Sequence, residues 1–184
     1  MDSTQILQHL KELTLQHITR AEKLLELSDE QLNQKDNTEQ WSVLECLEHL
    51  NLYFEFYLPE IQKRISASNL QSDKTFKSGW LGNYFAESMW PKEGFKKIKT
   101  FKDKNPIHSK LTKKSIEKFI SHEGQLLELL SQIEHKNLNK IRCLVSISKL
   151  IKLKLGDTLR FIIYHNERHL KQAENKNLIS STKS

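Results

Sequence analysis

Apolar residues recur every three or four positions through most of this chain, and that spacing constrains the fold more than any other feature. Near the N-terminus one helical stripe contains Ile6, Leu10, Leu13, Ala21 and Leu24. Only five glycines and three prolines occur among the 184 residues, so long helices meet few breakers. The pattern predicts an all-α protein in which each helix buries one face.

Four helices are expected, joined into a four-helix bundle that occupies residues 1–184 as a single domain. Ser42 and Glu45 have the spacing of a capping box and mark the start of the second helix. Asp157 is placed to cap the fourth helix. The predicted helices cover about residues 3–27, 43–65, 111–134 and 157–176.

Three segments do not follow this pattern. Residues 67–108 form a long crossover between helices two and three, rich in Trp, Phe and Gly. Because a loop of this length in a small domain is usually functional, we expect it to pack across one end of the bundle. The segment 138–155 mixes apolar and basic residues, and its conformation stays open. The tail 177–184 is expected to fray.

Charge divides the chain into two unequal parts. Residues 1–60 hold four Lys/Arg and twelve Asp/Glu, a net charge of −8, whereas residues 61–184 carry a net charge of +14. The lysine-rich stretch 91–120 suits contact with an anionic ligand, nucleic acid or the acidic part of another subunit. Its scarcity of arginine argues against nucleic acid, and a solvated lysine-rich surface is the simpler interpretation.

The sequence predicts a cytoplasmic protein that does not enter a membrane. No window reaches the roughly 20 apolar residues needed to cross a bilayer. The first residues have neither the basic nor the apolar stretch of a signal peptide. The two cysteines, Cys46 and Cys143, do not form a disulfide framework.

Histidines are the candidate functional residues. His165 and His169 lie four positions apart, so on a helix their rings share the apolar face of Phe161 and Ile162. His49 lies within the apolar arc of the second helix. Three inward histidines from two helices would hold one divalent ion and leave a coordination position open, as catalytic zinc sites do. The other, polar face of the last helix holds Arg160, Glu167 and Lys171.

Structural roles compete with this hypothesis. A single histidine on an apolar face is usually a hydrogen-bonded core residue, and His17 is a rival ligand by the same logic. Glu45 could orient the His49 ring, although its capping role already explains it. Gln172 could bond a bound water or pack, and Tyr53 could donate to a substrate or simply fill the core.

Several short motifs occur together in a specific order. They are Trp41-Ser42, Glu45 and His49 on the second helix, Gly79-Trp80-Leu81-Gly82 and Asn105-Pro106 in the crossover, and Leu155-Gly156-Asp157-Thr158-Leu159, His165, Arg168-His169 and Gln172 towards the end. Over about residues 3–175 the chain resembles the DinB-like family of four-helix bundle proteins. Its relatives include YfiT-type metal-dependent hydrolases and thiol-dependent S-transferases.

The resemblance implies a metal triad of His49, His165 and His169 that holds nickel, zinc or a similar divalent ion, with water completing the shell. It also implies a small-molecule substrate, a homodimer and, in some members, a low-molecular-weight thiol such as bacillithiol or mycothiol. Two functions remain open. The chain is either an enzyme of thiol S-transferase or hydrolase type, or a non-catalytic metal-binding bundle that acts in sensing or protein interaction. No catalytic residue is assigned.

Overall fold

Four long helices build the core of the computed structural model, which describes residues 1–92 and 100–181. Helix α1 packs against α5 and α6, and α3 packs against the same two helices, so the four form a closed ring. This arrangement confirms the predicted all-α bundle. The helices are α1 (Ser3–Leu24), α2 (Asp29–Asn33), α3 (Val43–Ser66), α4 (Trp80–Met89), α5 (Lys114–Ile133) and α6 (Leu155–Ser181).

Side-chain caps fix the starts of the two N-terminal bundle helices. The Asp2 carboxylate accepts hydrogen bonds from the first backbone N–H groups of α1. At α3 the predicted capping box is confirmed, because Ser42 N donates to Glu45 Oε2 at 2.8 Å and Glu45 N donates to Ser42 Oγ at 3.2 Å. Such caps satisfy backbone donors that have no partner inside the helix. The start of α3, and with it the position of His49, is therefore well defined.

Helix α6 is covered on several sides, which corrects the view of its polar face. Arg160 and Glu167 are buried, whereas Lys171 is exposed. The reason is that α4 covers one side of α6, where Glu87 pairs with Arg160 at 2.7 Å, and α1 covers another side, where His17 and Arg20 contact Glu167. The polar residues of this helix therefore make internal ion pairs, which periodicity alone does not distinguish from a solvated face.

The long crossover contains helix α4, which lies along α6, and a 3-10 turn at Lys102–Lys104. The sequence had predicted that Asp157 caps its own helix. It does not, because α6 begins two residues earlier at Leu155. Its carboxylate instead accepts from Ser78 Oγ and, at 2.9 Å, from Gly79 N. Asp157 thus fastens the start of α4 to α6.

Between α5 and α6, where the sequence left the conformation undecided, the chain forms an antiparallel hairpin of β1 (Arg142–Val145) and β2 (Ser148–Lys154). Two side chains of α3 anchor it. Glu60 Oε1 accepts from Leu144 N at 2.8 Å, and the Tyr57 hydroxyl accepts from Ser146 N at 3.2 Å. Because β2 leads directly into α6, the hairpin lies beside the same helix face that presents His165 and His169.

The C-terminal helix extends further than predicted. Its backbone stays helical through Ser181, since the segment after residue 176 contains neither Gly nor Pro. The fraying expected at residues 177–184 stays a prediction, and residues 182–184 lie outside the described residues. Among the helices that the structure describes, none is long and apolar enough to cross a bilayer.

Candidate metal centre

The three predicted histidines meet in the interior of the bundle. Helix α3 contributes His49, and α6 contributes His165 and His169 one turn apart. One nitrogen of each ring lies within 4.8 Å of the other two, and the Nε2 atoms of His49 and His165 are 3.2 Å apart. Nitrogens bound at 2.0–2.1 Å to a tetrahedral ion lie roughly 3.3 Å from one another. The separation therefore fits two corners of such a site.

Two of the three rings are oriented by acceptors on their other nitrogen. His49 Nδ1–H donates to the main-chain carbonyl of Lys104 at 2.6 Å, and His169 Nδ1–H donates to Gln172 Oε1 at 2.9 Å. The proton is assigned to Nδ1 because both partners are oxygens that accept. Each bond leaves the Nε2 lone pair of its ring available, and that of His49 faces His165 Nε2, the arrangement that metal-binding histidines usually have.

Burial keeps all three imidazoles neutral. Loss of water around the ring lowers the pKa of His49 to about 4. Burial also lowers the pKa of His165 and of His169 well below the usual range, and the neighbouring histidines add to this effect. A neutral imidazole offers a lone pair, which is the form that binds a metal ion. Near neutral pH the cluster is therefore a set of donors to a cation.

Aromatic rings surround the histidines. The Trp41 ring lies 4.6 Å from the His49 ring between centroids, and its indole N–H donates to Asn105 Oδ1 at 2.9 Å. The Tyr53 ring lies 4.6 Å from the His165 ring. These contacts hold the imidazole planes in place and exclude water from their sides. Trp41 and Asn105 belong to two of the short sequence motifs. They are hydrogen-bonded to each other beside the His49 ring.

A cavity of about 410 Å³ has the three histidines on its wall, a volume typical of small-molecule sites. Helix α3, the crossover with α4, the hairpin and α6 each supply one side of it. Among the described lining residues the charged side chain is that of Arg168, since the histidines are neutral. Large apolar and aromatic side chains make up most of the wall, among them Tyr57, Tyr84, Phe85, Phe101, Leu153 and Phe161.

The other site candidates have distinct positions. Tyr53 lines the cavity, and burial raises the pKa of its phenol to about 12, so its hydroxyl keeps its proton. Gln172 contacts His169 directly. The Glu45 carboxylate accepts hydrogen bonds from Ser42 N, from Lys35 Nζ at 2.6 Å and from His108 N at 2.7 Å. It therefore caps α3 and joins three segments of the chain.

The rival ligand His17 lies in a different cluster. It is fully buried, with Nδ1 2.9 Å from Glu123 Oε1 and Nε2 3.2 Å from Glu167 Oε2. Both ring nitrogens face carboxylates of the protein, so His17 has a structural role. Its charged partners on α5 and α6 were not anticipated from the sequence.

Sequence reasoning missed the Lys104 carbonyl and the hairpin wall of the cavity. A main-chain acceptor has no sequence signal, since every residue carries one. The hairpin did leave a signal, because Ile151, Leu153 and Leu155 alternate with lysines at the period of a strand. The cavity could therefore have been placed in part from that alternation.

Comparison with known proteins agrees with this geometry. No curated protein and no solved structure shows significant similarity to the chain. The family model of the DinB superfamily matches residues 13–173, a span that includes all three histidines and the described walls of the cavity. A match over most of the length shows common descent, and the chain therefore belongs to the DinB superfamily.

Proposed function

We propose that this protein is a metal-dependent enzyme in which His49, His165 and His169 hold nickel or zinc beside a substrate cavity. The observation that carries the proposal is the convergence of three neutral imidazoles on one point of a cavity wall. Three protein ligands leave a position for the reacting molecule, as in catalytic zinc sites. A purely structural site would use four protein ligands and lie closed to small molecules.

The chain's own residues prepare this site. Lys104 and Gln172 accept the Nδ1 protons of His49 and His169, so that neither ring needs to rotate when a cation binds. Tyr53 retains its hydroxyl proton and offers a donor inside the cavity. With a divalent ion held by His49, His165 and His169, the pKa of a bound thiol or water would be lowered, which would supply a nucleophile at neutral pH.

Thiol transfer is the reaction we favour, by analogy with family members, and hydrolysis of a small ester or amide is the second candidate. In transfer the thiol would lose its proton to solvent, its sulfur would bond to an electrophilic carbon, and the bond from that carbon to the leaving group would break with the electron pair going to the leaving group. In hydrolysis water would lose a proton to solvent, its oxygen would bond to the carbonyl carbon, and the bond from that carbon to the alcohol or amine would break, the alcohol or amine leaving with the electron pair and taking up a proton. Both reactions need one deprotonated nucleophile at the triad.

Elemental analysis of tag-free protein tests the metal centre first. We expect about one divalent ion per chain in the wild type and in His9→Ala, an exposed control on α1, and none in His49→Ala. Circular dichroism checks that the variants remain helical. If wild-type protein contains no metal and also fails to bind added nickel and zinc, the proposal is wrong.

Turnover separates an enzyme from a metal-binding bundle without activity. Metal-loaded protein is offered a thiol with a chlorinated aromatic electrophile, and separately an aryl ester. His169→Ala should abolish any turnover while the helical circular dichroism is retained. Full metal occupancy with no turnover of either substrate class would favour the sensing or interaction role.

A further inference from the structure

The wall of the cavity determines what kind of molecule reaches the triad. Several of its polar side chains are engaged with the protein: Ser88 Oγ donates to Phe85 O at 2.7 Å, and the Tyr57 hydroxyl accepts from Ser146 N in the hairpin turn at 3.2 Å. Arg168 Nη1 donates to Ser88 O at 3.2 Å. These bonds turn hydrogen-bonding atoms towards protein partners and leave mainly aromatic faces and alkyl groups towards the cavity.

Apolar side chains continue from the interior of the cavity to its rim. Tyr84 on α4 and Ile147 in the hairpin turn both line the cavity, yet 65% and 45% of their surfaces are exposed. Phe101 of the crossover also lines it and is 51% exposed. Isolated exposed apolar residues are ordinary, but a group around one opening marks a binding site for apolar surface.

We propose that the cavity binds the aromatic or alkyl body of the substrate, while the reacting thiol of that substrate reaches the histidine triad. This inference rests on the proposed function for the role of the triad, but its evidence is the lining of the cavity. It selects small apolar thiols over polar, multiply charged ones. Outside the triad, Arg168 is the charged side chain among the described lining residues, so a molecule with several charges would lose water in this cavity and gain few partners, which is costly.

Four probes separate the two parts of the site. Benzyl mercaptan has both the thiol and the apolar body, benzyl alcohol has the body with a weak metal ligand, mercaptoethanol has the thiol without the body, and glutathione is a polar, charged thiol. Binding is measured by calorimetry with metal-free and nickel-loaded protein. We expect benzyl mercaptan to bind nickel-loaded protein at least about tenfold more tightly than mercaptoethanol or glutathione. Benzyl alcohol should bind the metal-free protein as well.

The hairpin offers a matched pair of variants. Ile147→Glu places a carboxylate at the rim, and Leu150→Glu makes the same kind of change on the same hairpin, where Leu150 is 92% exposed and does not line the cavity. Ile147→Glu should weaken benzyl mercaptan and benzyl alcohol binding by about tenfold. It should leave mercaptoethanol binding unchanged, which also shows that the variant is folded. Leu150→Glu should bind all four probes as the wild type does.

The outcomes distinguish this inference from the proposed function. If nickel-loaded protein binds mercaptoethanol as tightly as benzyl mercaptan and benzyl alcohol does not bind, the apolar site is wrong while the metal centre stands. If both benzyl compounds bind with or without nickel and only Ile147→Glu weakens them, the apolar site stands and thiol binding at the metal is wrong. Equal losses in Ile147→Glu and Leu150→Glu would also overturn the assignment of the rim.

Discussion

At the scale of single residues, the hydrogen-bond partners of His49 and His169 explain why these rings have lone pairs available for a cation. Gln172 follows His169 by three positions, and its side-chain oxygen holds the Nδ1 proton of that ring. The Lys104 carbonyl does the same for His49. Because neither ring can present its N–H to the centre without breaking a bond, both offer lone pairs there. Orientation is thus supplied by residues that do not themselves face the centre.

Removal of the Gln172 acceptor should weaken the metal centre. We expect Gln172→Leu to bind zinc or nickel about 10–100-fold more weakly, because the His169 ring is then free to rotate. Competition with a chromogenic chelator measures the affinity. Gln125→Leu, the same change at an exposed position of α5, is the control and should bind as the wild type does. Equal affinities of the two variants would mean that packing alone holds the ring.

His17 makes the stability of the bundle depend on pH. Its charged neighbours are Glu123 on α5, Glu167 on α6, and Arg20, which itself pairs with Glu167 and Glu174. Burial lowers the pKa of His17, but the carboxylates outweigh burial and the pKa is raised. Burial likewise raises the pKa of Glu123. His17 therefore keeps its proton in the folded protein at a pH where the unfolded chain has released it.

Because folding raises the pKa of His17, the free energy of unfolding decreases as pH rises. The contribution of His17 is fully present below its unfolded pKa of about 6.5 and is lost as pH rises through the raised folded value. We expect wild-type stability to fall across this window by up to about 1.4 kcal/mol per pH unit. Urea denaturation of chelator-treated protein measures it. The double variant His17→Gln with Glu123→Gln should lose the slope, and exposed His9→Gln should keep it. Equal slopes in all three proteins would contradict the prediction.

At the scale of secondary-structure elements, the docking of α4 on α6 forms one side of the cavity. Asp157 accepts from Ser78 and Gly79 at the start of α4, and a Cβ atom on Gly82 would lie 2.3 Å from Asp157 Oδ2. Glycine at position 82 is thus required by close approach and not by backbone angle. The glycine-containing motif of the crossover has a packing role, since it lets α4 lie directly on this carboxylate.

Two glycine substitutions test this contact. Gly82→Ala should lower the stability by about 1–3 kcal/mol, because Asp157 or α4 must move. Gly124→Ala on α5 is the control: within the described chain, no atom of another element lies within 4 Å of the point that its Cβ would occupy, so alanine should stabilise by about 0.5–1 kcal/mol. Thermal unfolding followed by circular dichroism gives both values. A Gly82→Ala protein as stable as the wild type would refute the close contact.

The elements that the sequence predicted are those that local rules determine. The bundle helices and the Ser42–Glu45 box follow from apolar spacing and cap chemistry, and the three histidines follow from their shared inward faces. The docking of α4 and the buried Arg160 were not predictable in this way, because both depend on contacts between segments about 80 residues apart. The hairpin was left open because lysines interrupt its apolar residues, although their alternation has the period of a strand.

At the scale of the whole molecule, part of the charge asymmetry is satisfied within the chain. Lys118 of the basic C-terminal part pairs with Glu55 of α3 at 2.6 Å and lies 3.7 Å from Glu48 of the same helix. Some acidic side chains of the N-terminal part are therefore paired with a basic side chain of the later part on the surface of the bundle. A partner molecule is not needed to explain the opposite charges, and surface pairs of this kind contribute little to stability individually.

Metal binding should stabilise the entire bundle, because the triad joins α3 to α6, two helices far apart in sequence. An ion that binds only the folded chain adds about 2.7 kcal/mol at a concentration 100 times its dissociation constant. For a chain of this size that corresponds to a rise in melting temperature of about 5–10 °C. Nickel or zinc should produce the rise in the wild type and in His9→Ala, and EDTA should reverse it. Because His49 supplies the α3 ligand of the triad, His49→Ala should show almost no rise; an equal rise there would place the ion elsewhere.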